Sequence, residues 1–329
     1  MNRIIGIGNA LVDLLARIEN DDILQSLNLP KGSMQLLDEA RYRDISARLA
    51  ALRPQRATGG SACNTMLALA QLGEKPAVIG KVGADDNGRL FADNCRLTGI
   101  TPHLLTDALH PTGVASTFIS PDGQRTFGTY LGAAALLEPD DVKAEWLSGP
   151  EYLYVEGYLV QNHALMERLL DLAGQYGLKI CLDLASYNIV EADRDFFSHL
   201  VSRAYLVLAN EDEARALTGL EPEAALTELA ARCPMAVVKV GRQGALAARG
   251  HERVAAPAMK VAHVVDTNAA GDFFAAGFLY ALLRGAGLQT CAEAGSITAG
   301  HVIQYVGTKL PDTAWQQARR QMQALLQGA

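Results

Sequence analysis

The stretch Val264-Val265-Asp266-Thr267-Asn268-Ala269-Ala270-Gly271-Asp272-Phe273-Phe274-Ala275-Ala276-Gly277-Phe278 joins an apolar run to a second, longer apolar segment through a turn of small residues. Residues 263–265 end a run that suits a buried strand. The apolar residues from Phe273 onward, closed by Gly285, indicate a buried helix. A small, glycine-containing turn at a helix start leaves backbone N–H groups at the positive end of the helix dipole. The stretch therefore predicts a turn that can bind an anion such as a phosphate.

Asp272 falls in the first turn of this predicted helix, where two roles are open. A carboxylate in a first turn can simply stabilise the helix N-terminus, and spacing alone favours that role because acidic residues are common there. The carboxylate can instead accept a proton from a hydroxyl group that lies beside a bound phosphate.

Length, charge and cysteine usage narrow the class of protein. The chain has 329 residues, 49% of them hydrophobic, a net charge of -7 and a pI of about 5.5. It can build one large α/β domain or two smaller ones, and its acidity argues against nucleic acid or an anionic membrane as the main partner. No apolar run approaches the ~18 residues of a membrane span. Scattered cysteines and a start without a signal-peptide pattern predict a cytoplasmic protein with reduced thiols.

Strand-like and helix-like segments alternate from residue 152 onward, which predicts a mostly parallel sheet with right-handed crossovers. Such sheets bind ligands beyond the carboxyl ends of their strands. Polar residues recur at these predicted strand ends: Asp13, Glu156, Asp183, Asn210, Glu213 and Lys239. This recurrence indicates an active site independently of any single motif.

Two glycine-containing turns also bear on ligand binding. Gly59-Gly60 precedes a predicted helix and could be only a flexible turn, but it also allows a ligand to approach the backbone, with Asn64 one turn further on. The segment from Gly241 to Gly244 follows a predicted strand. A bare Gly-x-x-Gly is weak evidence for a nucleotide site.

The run Asn210-Glu211-Asp212-Glu213 has two compatible interpretations. It can cap a helix, since Asn and acidic residues are favoured in that position. It can also bind Mg²⁺ through water beside phosphates, because Mg²⁺ keeps several waters and takes few carboxylates.

Residues 266–272 resemble the Asp-Thr-x-Gly-Ala-Gly-Asp signature of the ribokinase-like (PfkB) carbohydrate kinases, with Ala269 where Gly is commoner. The resemblance implies that Asp272 is the catalytic base. It also implies that the backbone amides around Ala269, Ala270 and Gly271 form an anion hole for the transferred phosphoryl group.

The resemblance extends over nearly the whole chain, because further segments match in order. Residues 8–13 look like a segment of the adenosine kinase branch, and Gly59-Gly60 with Asn64 looks like the sugar-binding signature. The implied substrate-binding residues are Asn9, Asp13, Gly59, Gly60, Asn64 and Glu156. The implied ATP-binding residues are Asn210, Lys239, Gly241, Gly244 and Asn268. The resemblance also implies Mg²⁺ held through water at Glu213, and it allows K⁺ at Asp266.

The fold implied by the resemblance is a ribokinase-like three-layer α/β/α domain over residues 1–329, with a mostly parallel sheet and a small β-lid. The lid is expected from two stretches, approximately 12–56 and 100–133. The second includes a hairpin with strands at 113–119 and 125–131 joined by the turn 120–123. The lid is compatible with a monomer or a homodimer.

The expected reaction is transfer of the γ-phosphoryl group of ATP to a hydroxymethyl group of a small-molecule nucleoside or sugar, with adenosine favoured. A free-sugar kinase of the ribokinase or fructokinase type is the alternative. A non-catalytic nucleotide- or sugar-binding protein is a further one, although retention of Asp272 and Glu213 argues against it. Neither a Gly-x-x-x-x-Gly-Lys-Ser/Thr phosphate loop nor a Gly-x-Gly-x-x-Gly fingerprint is present, which disfavours P-loop kinases and NAD-dependent oxidoreductases.

Overall fold

The computed structural model describes residues 2–122 and 124–328. These residues form fourteen strands, which in chain order are β1 Ile4–Ile7, β2 Leu11–Arg17, β3 Met34–Leu36, β4 Gln55–Gly59, β5 Ala77–Gly83, β6 Thr101–Asp107, β7 Thr112–Ile119, β8 Arg125–Gly132, β9 Tyr152–Glu156, β10 Lys179–Asp183, β11 Leu206–Asn210, β12 Met235–Lys239, β13 Ala245–Arg249 and β14 Glu252–Ala256.

The same residues form twelve α-helices, which are α1 Asp22–Ser26, α2 Glu39–Ala51, α3 Ser61–Gln71, α4 Asp86–Leu97, α5 His163–Tyr176, α6 Tyr187–Ala192, α7 Arg194–Arg203, α8 Glu211–Thr218, α9 Pro222–Arg232, α10 Ala270–Leu283, α11 Leu288–Val302 and α12 Asp312–Gln327. Short 3-10 turns connect several of these elements.

Nine strands form the central sheet in the order β14-β13-β12-β11-β10-β9-β1-β5-β6. Seven strands, from β12 to β6 in this order, are parallel to one another. Strands β13 and β14 extend the sheet beyond β12 with antiparallel pairing. The last residues of β9, β10, β11 and β12 are Glu156, Asp183, Asn210 and Lys239, so one edge of the sheet collects these polar side chains.

Helices cover both faces of the central sheet, which makes three layers. Alternate residues of β1 belong to different cores: Ile4 packs with Met66 and Phe278 on one face, and Ile5 packs with Leu169 and Phe197 on the other. A parallel strand buried on both faces reads as a continuous apolar run, as β1 does. The α/β/α fold class predicted from the sequence is confirmed.

The remaining five strands form a separate sheet in the order β3-β8-β7-β2-β4. One face of this sheet packs on helix α2 through a small core that includes Val12, Ile45, Leu49 and Phe118. The sheet is built from two stretches of chain, 11–59 and 112–132. We refer to these five strands as the lid. The expected turn at 120–123 includes residue 123, which lies outside the described residues.

Three local expectations are corrected. Residues 257–267 form no strand, and Val264 and Val265 are 59% and 50% exposed instead of buried. Residues 101–107, which were expected in the lid, pair with β5 as part of the central sheet. Asp13 does not follow the first strand of the central sheet but is the third residue of β2, where it pairs with Ala57.

Candidate active site

A cavity of about 850 Å³ lies between the lid and the carboxyl edge of the central sheet. The lid contributes Asp13, Leu15, Thr117, Arg125 and Phe127 to its wall. The sheet edge and the helix starts contribute Gly60, Ser61, Asn64, Asp183, Asn210, Glu213, Lys239, Asn268, Ala269, Ala270, Gly271 and Asp272. The cavity thus collects most of the residues that the sequence singles out.

Asp272 lies in the first turn of α10 and is held by helix α3. Its Oδ1 accepts a hydrogen bond from the Ser61 hydroxyl at 2.6 Å, and its Oδ2 accepts one from Asn64 Nδ2 at 2.9 Å. Burial raises the pKa of Asp272 to about 6, although these two donors lower it. The carboxylate is therefore half-buried and held in a fixed orientation. Its pKa lies near neutral pH, which suits a group that accepts a proton under physiological conditions.

The turn before α10 has an unusual backbone conformation. Ala269 adopts a left-handed φ of 59°, which costs a residue with a Cβ roughly 1 kcal/mol and explains why glycine suits this position. The Ala270 N–H donates to Thr267 O at 3.2 Å. The N–H groups of Gly271 and Asp272 follow in the first helical turn, which has no intrahelical acceptors for them. These two amides are available to bind an anion, and the anion hole expected around Ala269, Ala270 and Gly271 stays a prediction.

Asn64 and Asp13 also line the cavity. Asn64 is 8% exposed, and its Oδ1 has no hydrogen-bond partner among the described residues. Asp13 packs closely on Gly59, since a Cβ on that glycine would lie 2.3 Å from Asp13 Oδ1. Burial, and then the nearby charge of Asp272, raises the pKa of Asp13 to about 7. These groups offer acceptors to hydroxyl groups of a ligand.

Asn9, Gly59 and Glu156 lie behind the cavity wall. Glu156 is 1% exposed, and its carboxylate accepts hydrogen bonds from Asn9 Nδ2 at 2.9 Å, the Asn9 N–H at 3.2 Å and the Ala62 N–H at 3.0 Å. Burial raises the pKa of Glu156 to about 7. Asn9 and Glu156 thus fix the start of α3, and their expected contact with the substrate stays a prediction.

Lys239 lies between the edge of the central sheet and the turn before α10. Its Nζ lies 3.2 Å from Asp183 Oδ2, and the two side chains are 14% and 6% exposed. The same Nζ lies beside Gly271, where a Cβ would come within 3.1 Å of it. Burial lowers the pKa of Lys239, but the carboxylates of Asp183 and Glu213 outweigh this and raise it overall. Lys239 is thus a charged ammonium beneath the turn.

Asn210 and Glu213 form a reciprocal cap at the start of α8. The Asn210 side chain accepts from the Glu213 N–H at 2.8 Å, and Glu213 Oε2 accepts from the Asn210 N–H at 2.8 Å. Glu213 is 3% exposed, and burial raises its pKa to about 7 although Lys239 lowers it. The capping interpretation therefore holds, and the carboxylate of Glu213 also contributes to the cavity wall.

The carboxylates at this edge fit Mg²⁺ only as an ion that keeps much of its water. Among the described residues, no three His, Cys, Asp or Glu side chains are close enough together to hold a metal. Mg²⁺ commonly binds through few carboxylates together with water and substrate phosphates. The carboxylate oxygens of Glu213, which line the cavity, suit that mode.

Asn268 and the two glycines expected to bind ATP have different surroundings. Asn268 lies on the cavity wall, and its N–H donates to Asp266 Oδ1 at 3.0 Å. Gly241 has open space where a Cβ would project. Gly244 has a φ of 106°, and a Cβ there would lie 2.0 Å from Ala256 O, so its glycine is required by the packing of the chain itself.

Both carboxylate oxygens of Asp266 are bonded to other groups of the protein. Its Oδ2 lies 2.6 Å from Arg125 Nη2 of the lid and accepts the Gly307 N–H at 2.7 Å, while Oδ1 accepts the Asn268 N–H. Its side chain is 4% exposed. A K⁺ ion requires oxygen ligands, and three hydrogen-bond donors surround this carboxylate. The residues do not fit the K⁺ ion that the resemblance allows.

Ser61 and Arg125 are site residues that the sequence does not single out, and Asp183, which it places at a strand end, receives no specific role from it. Ser61 directly follows the Gly59-Gly60 pair, and Asp183 stands at a strand end. The sequence positions of both residues therefore indicate that they lie near a ligand site. Arg125 begins a lid strand and pairs with Asp266, which lies 141 positions further along the chain. A single sequence has no pattern that pairs those two residues.

The chain matches the pfkB family carbohydrate kinase over residues 38–315, and it belongs to that family. A probable sugar kinase from Rhizobium etli CFN 42 is 34% identical with a TM-score of 0.89, covering 99% of this chain and 100% of its own. The adenosine kinase from Sinorhizobium meliloti is 33% identical with a TM-score of 0.88, covering 97% and 99%. The 5-dehydro-2-deoxygluconokinase of Bacillus subtilis (strain 168) is 28% identical over 261 residues, 74% of this chain and 80% of that protein.

The chain is therefore a sugar or nucleoside kinase of the PfkB family, a phosphotransferase with an alcohol group as acceptor. Membership of a kinase family implies ATP as the phosphoryl donor. Among the described helices, none combines the length and apolar character needed to cross a membrane.

Proposed function

We propose that this protein transfers the γ-phosphoryl group of ATP to the hydroxymethyl group of a ribonucleoside, with adenosine as the favoured acceptor. The observation that carries the proposal is the position of Asp272: an oriented carboxylate with a raised pKa, directly beside the first-turn amides of α10.

Asp272 would accept the proton of the acceptor hydroxyl as its oxygen attacks the γ-phosphorus. The bond from the γ-phosphorus to the bridging oxygen of ADP breaks, and ADP leaves with that oxygen. The amides of Gly271 and Asp272 and the ammonium of Lys239 would stabilise charge on the transferred group. Phosphoryl transfer depends mainly on such positioning and electrostatics, so oriented groups at this turn are the contribution required of the protein.

Asp13, Gly60 and Asn64 would hold the ribose hydroxyls. The unpartnered Oδ1 of Asn64 supports this role, because a buried acceptor without a partner costs about 1–3 kcal/mol. A ligand hydroxyl would satisfy it. Leu15 and Phe127 in the lid wall supply apolar surface that suits a nucleobase. The whole-length similarity to an adenosine kinase supports the same acceptor.

The donor nucleotide would lie at the other end of the cavity, along Asn210, Lys239 and Gly241. Mg²⁺ would be held by the phosphates and, through water, by Glu213, where it would neutralise phosphate charge. Ser296, whose buried Oγ has no partner among the described residues, lines the wall near Ile303. It offers a hydrogen bond to the base of ATP.

A free-sugar kinase is the second candidate. The similarity to a probable sugar kinase is slightly higher than the similarity to the adenosine kinase, at 34% against 33% identity. A sugar would use the same base and the same anion-binding turn, and it would leave the apolar lid surface uncovered. The two candidates therefore differ in the acceptor alone.

Coupled ADP release from purified protein with Mg-ATP tests the proposal, using adenosine, other ribonucleosides, ribose, fructose and sugar acids as acceptors. Asp272→Asn is the inactive variant, and Asp171→Asn, at an exposed position of α5, is the matched control. We expect turnover with adenosine that is lost only in Asp272→Asn. Turnover with a free sugar alone would replace adenosine by that sugar. Activity that persists in Asp272→Asn would refute the proposed mechanism.

A further inference from the structure

The lid is joined to the anion-binding turn by a buried ion pair. Arg125, the first residue of β8, places Nη2 2.6 Å from Asp266 Oδ2, and the two side chains are only 10% and 4% exposed. Buried pairs of this kind are weakly screened by salt. Removing one partner leaves an uncompensated buried charge, which is strongly destabilising.

Asp266 connects three segments of the chain through its carboxylate. Besides Arg125 it accepts the Asn268 N–H at 3.0 Å, which belongs to the turn that leads to α10. It also accepts the Gly307 N–H at 2.7 Å, from the segment after α11. The position of the Asp266 carboxylate therefore fixes the turn that begins at Asn268. The positive charge of Arg125 neutralises the carboxylate.

Resting on the proposed function, we propose that Arg125 is a positioning residue that takes the place of a monovalent cation at Asp266, so that phosphoryl transfer by this chain does not depend on K⁺. The guanidinium supplies the positive charge from the lid, and no oxygen of Asp266 is left without a donor. The ion pair thereby couples the conformation of the turn before α10 to the position of the lid over the central sheet.

This assignment follows from the geometry of Asp266 alone. Arg cannot lose its charge in proteins, and its planar donors suit a carboxylate. A K⁺ ion at the same carboxylate would lie against a guanidinium and two N–H groups, all of which carry positive partial or full charge. Binding K⁺ there would require Arg125 to leave, which would separate the lid from the turn.

The test compares initial rates of the intact protein in choline, sodium and potassium chloride at about 100 mM, so that ionic strength is constant. For the wild type we expect rates within about threefold across the three salts. Greater stimulation by K⁺ would overturn the assignment. The melting temperature of the substrate-free protein is measured in the same salts, and a rise specific to K⁺ would also overturn it.

Two variants separate positioning from folding. Arg125→Met should lower kcat at least about tenfold and should gain a K⁺ response that the wild type lacks, while Arg125→Lys should recover part of the rate. Arg43→Met, which removes an exposed arginine of α2, is the matched control and should behave as wild type. An Arg125→Met protein that is folded and keeps the wild-type rate, or that gains no K⁺ response, would refute the role.

The cation experiments remain informative if the kinase proposal fails. Absence of turnover with every acceptor would refute the proposed function, whereas the melting temperatures would still report whether K⁺ binds at Asp266. If Arg125→Met does not fold, the wild-type salt series alone decides the inference.

Discussion

Replacing Asp272 with asparagine removes the proposed base while keeping the size and shape of the side chain. Asn64 Nδ2 donates to Asp272 Oδ2, and Ser61 donates to Oδ1. The new amide can still accept one of these bonds, so we expect the variant to fold. A positioned general base contributes about 10²–10⁴ in rate, which corresponds to roughly 2.7–5.5 kcal/mol of transition-state stabilisation.

The pH profile gives this prediction a second, independent readout. Burial raises the pKa of Asp272 to about 6 and that of Asp13 to about 7. Both carboxylates act in the ionised form, so kcat/KM must fall as the pH is lowered through these values. With two interacting groups the apparent pKa values belong to the pair, and the slope of log kcat/KM should approach about 2 below pH 6. Asp13→Asn should reduce that slope to about 1.

The assay is coupled ADP release with adenosine, or with the acceptor found active, from pH 5 to pH 8.5. For Asp272→Asn we expect kcat to fall by about 10²–10⁴ while the KM for ATP stays within about threefold. A loss smaller than about tenfold would refute the role of Asp272 as base. A wild-type profile that is flat between pH 5 and pH 7 would refute the assigned ionisation states.

The remaining predictions concern stability. Gly60 has a φ of 92°, and a Cβ there would lie 2.0 Å from a backbone carbonyl oxygen, so Gly60→Ala should lower the free energy of unfolding by at least about 2 kcal/mol. Gly174→Ala, at an exposed helical site with open space around it, should be neutral or slightly stabilising. Lys239→Met leaves the buried carboxylate of Asp183 unpaired and should cost about 3–5 kcal/mol in urea denaturation; a change below about 1 kcal/mol would contradict the ion pair. Burial raises the pKa of Glu213 from about 4.5 to about 7, so its stabilising effect is complete below about pH 4.5 and is lost as the pH rises through about 7. The unfolding free energy of the wild type should therefore fall between pH 5 and pH 7.5, and an equally steep fall in Glu213→Gln would refute that contribution.

The central sheet could be predicted from the sequence because its strands are buried on both faces. The runs 179–183 and 206–210 are short, apolar and end in a polar residue, and each forms a strand of the central sheet. Helix α5, His163–Tyr176, has an amphipathic pattern that is closed by Gly177 in the left-handed conformation, and both features can be recognised in the sequence.

Local pattern failed where tertiary contacts decide the structure. Val264 and Val265 are apolar, but they lie in a loop at the cavity, where burial does not select for a strand. Strand β4, Gln55–Gly59, is short and partly polar, and it forms because β2 supplies its hydrogen bonds. Pairing of this kind depends on residues 40 to 48 positions apart.

The candidate site shows the same division. Asp272 stands out from its position in a motif, and its proposed role agrees with its hydrogen bonds. Glu156 also stands at a strand end, but its carboxylate accepts hydrogen bonds from the Asn9 side chain and from the N–H groups of Asn9 and Ala62. A single sequence does not distinguish a carboxylate that binds a ligand from one that holds a buried turn. The Arg125–Asp266 pair is likewise visible only in three dimensions.

The most direct test of the account is the chemical identity of the product. The protein is incubated with Mg-ATP and adenosine, and the products are separated and analysed by mass spectrometry and ³¹P NMR. We predict one phosphorylated nucleoside, with the new phosphate on the 5′ hydroxymethyl oxygen and ADP formed in equal amount. ADP formed with inorganic phosphate alone, or a phosphate on a ring hydroxyl, would contradict the proposed placement of the acceptor against Asp272.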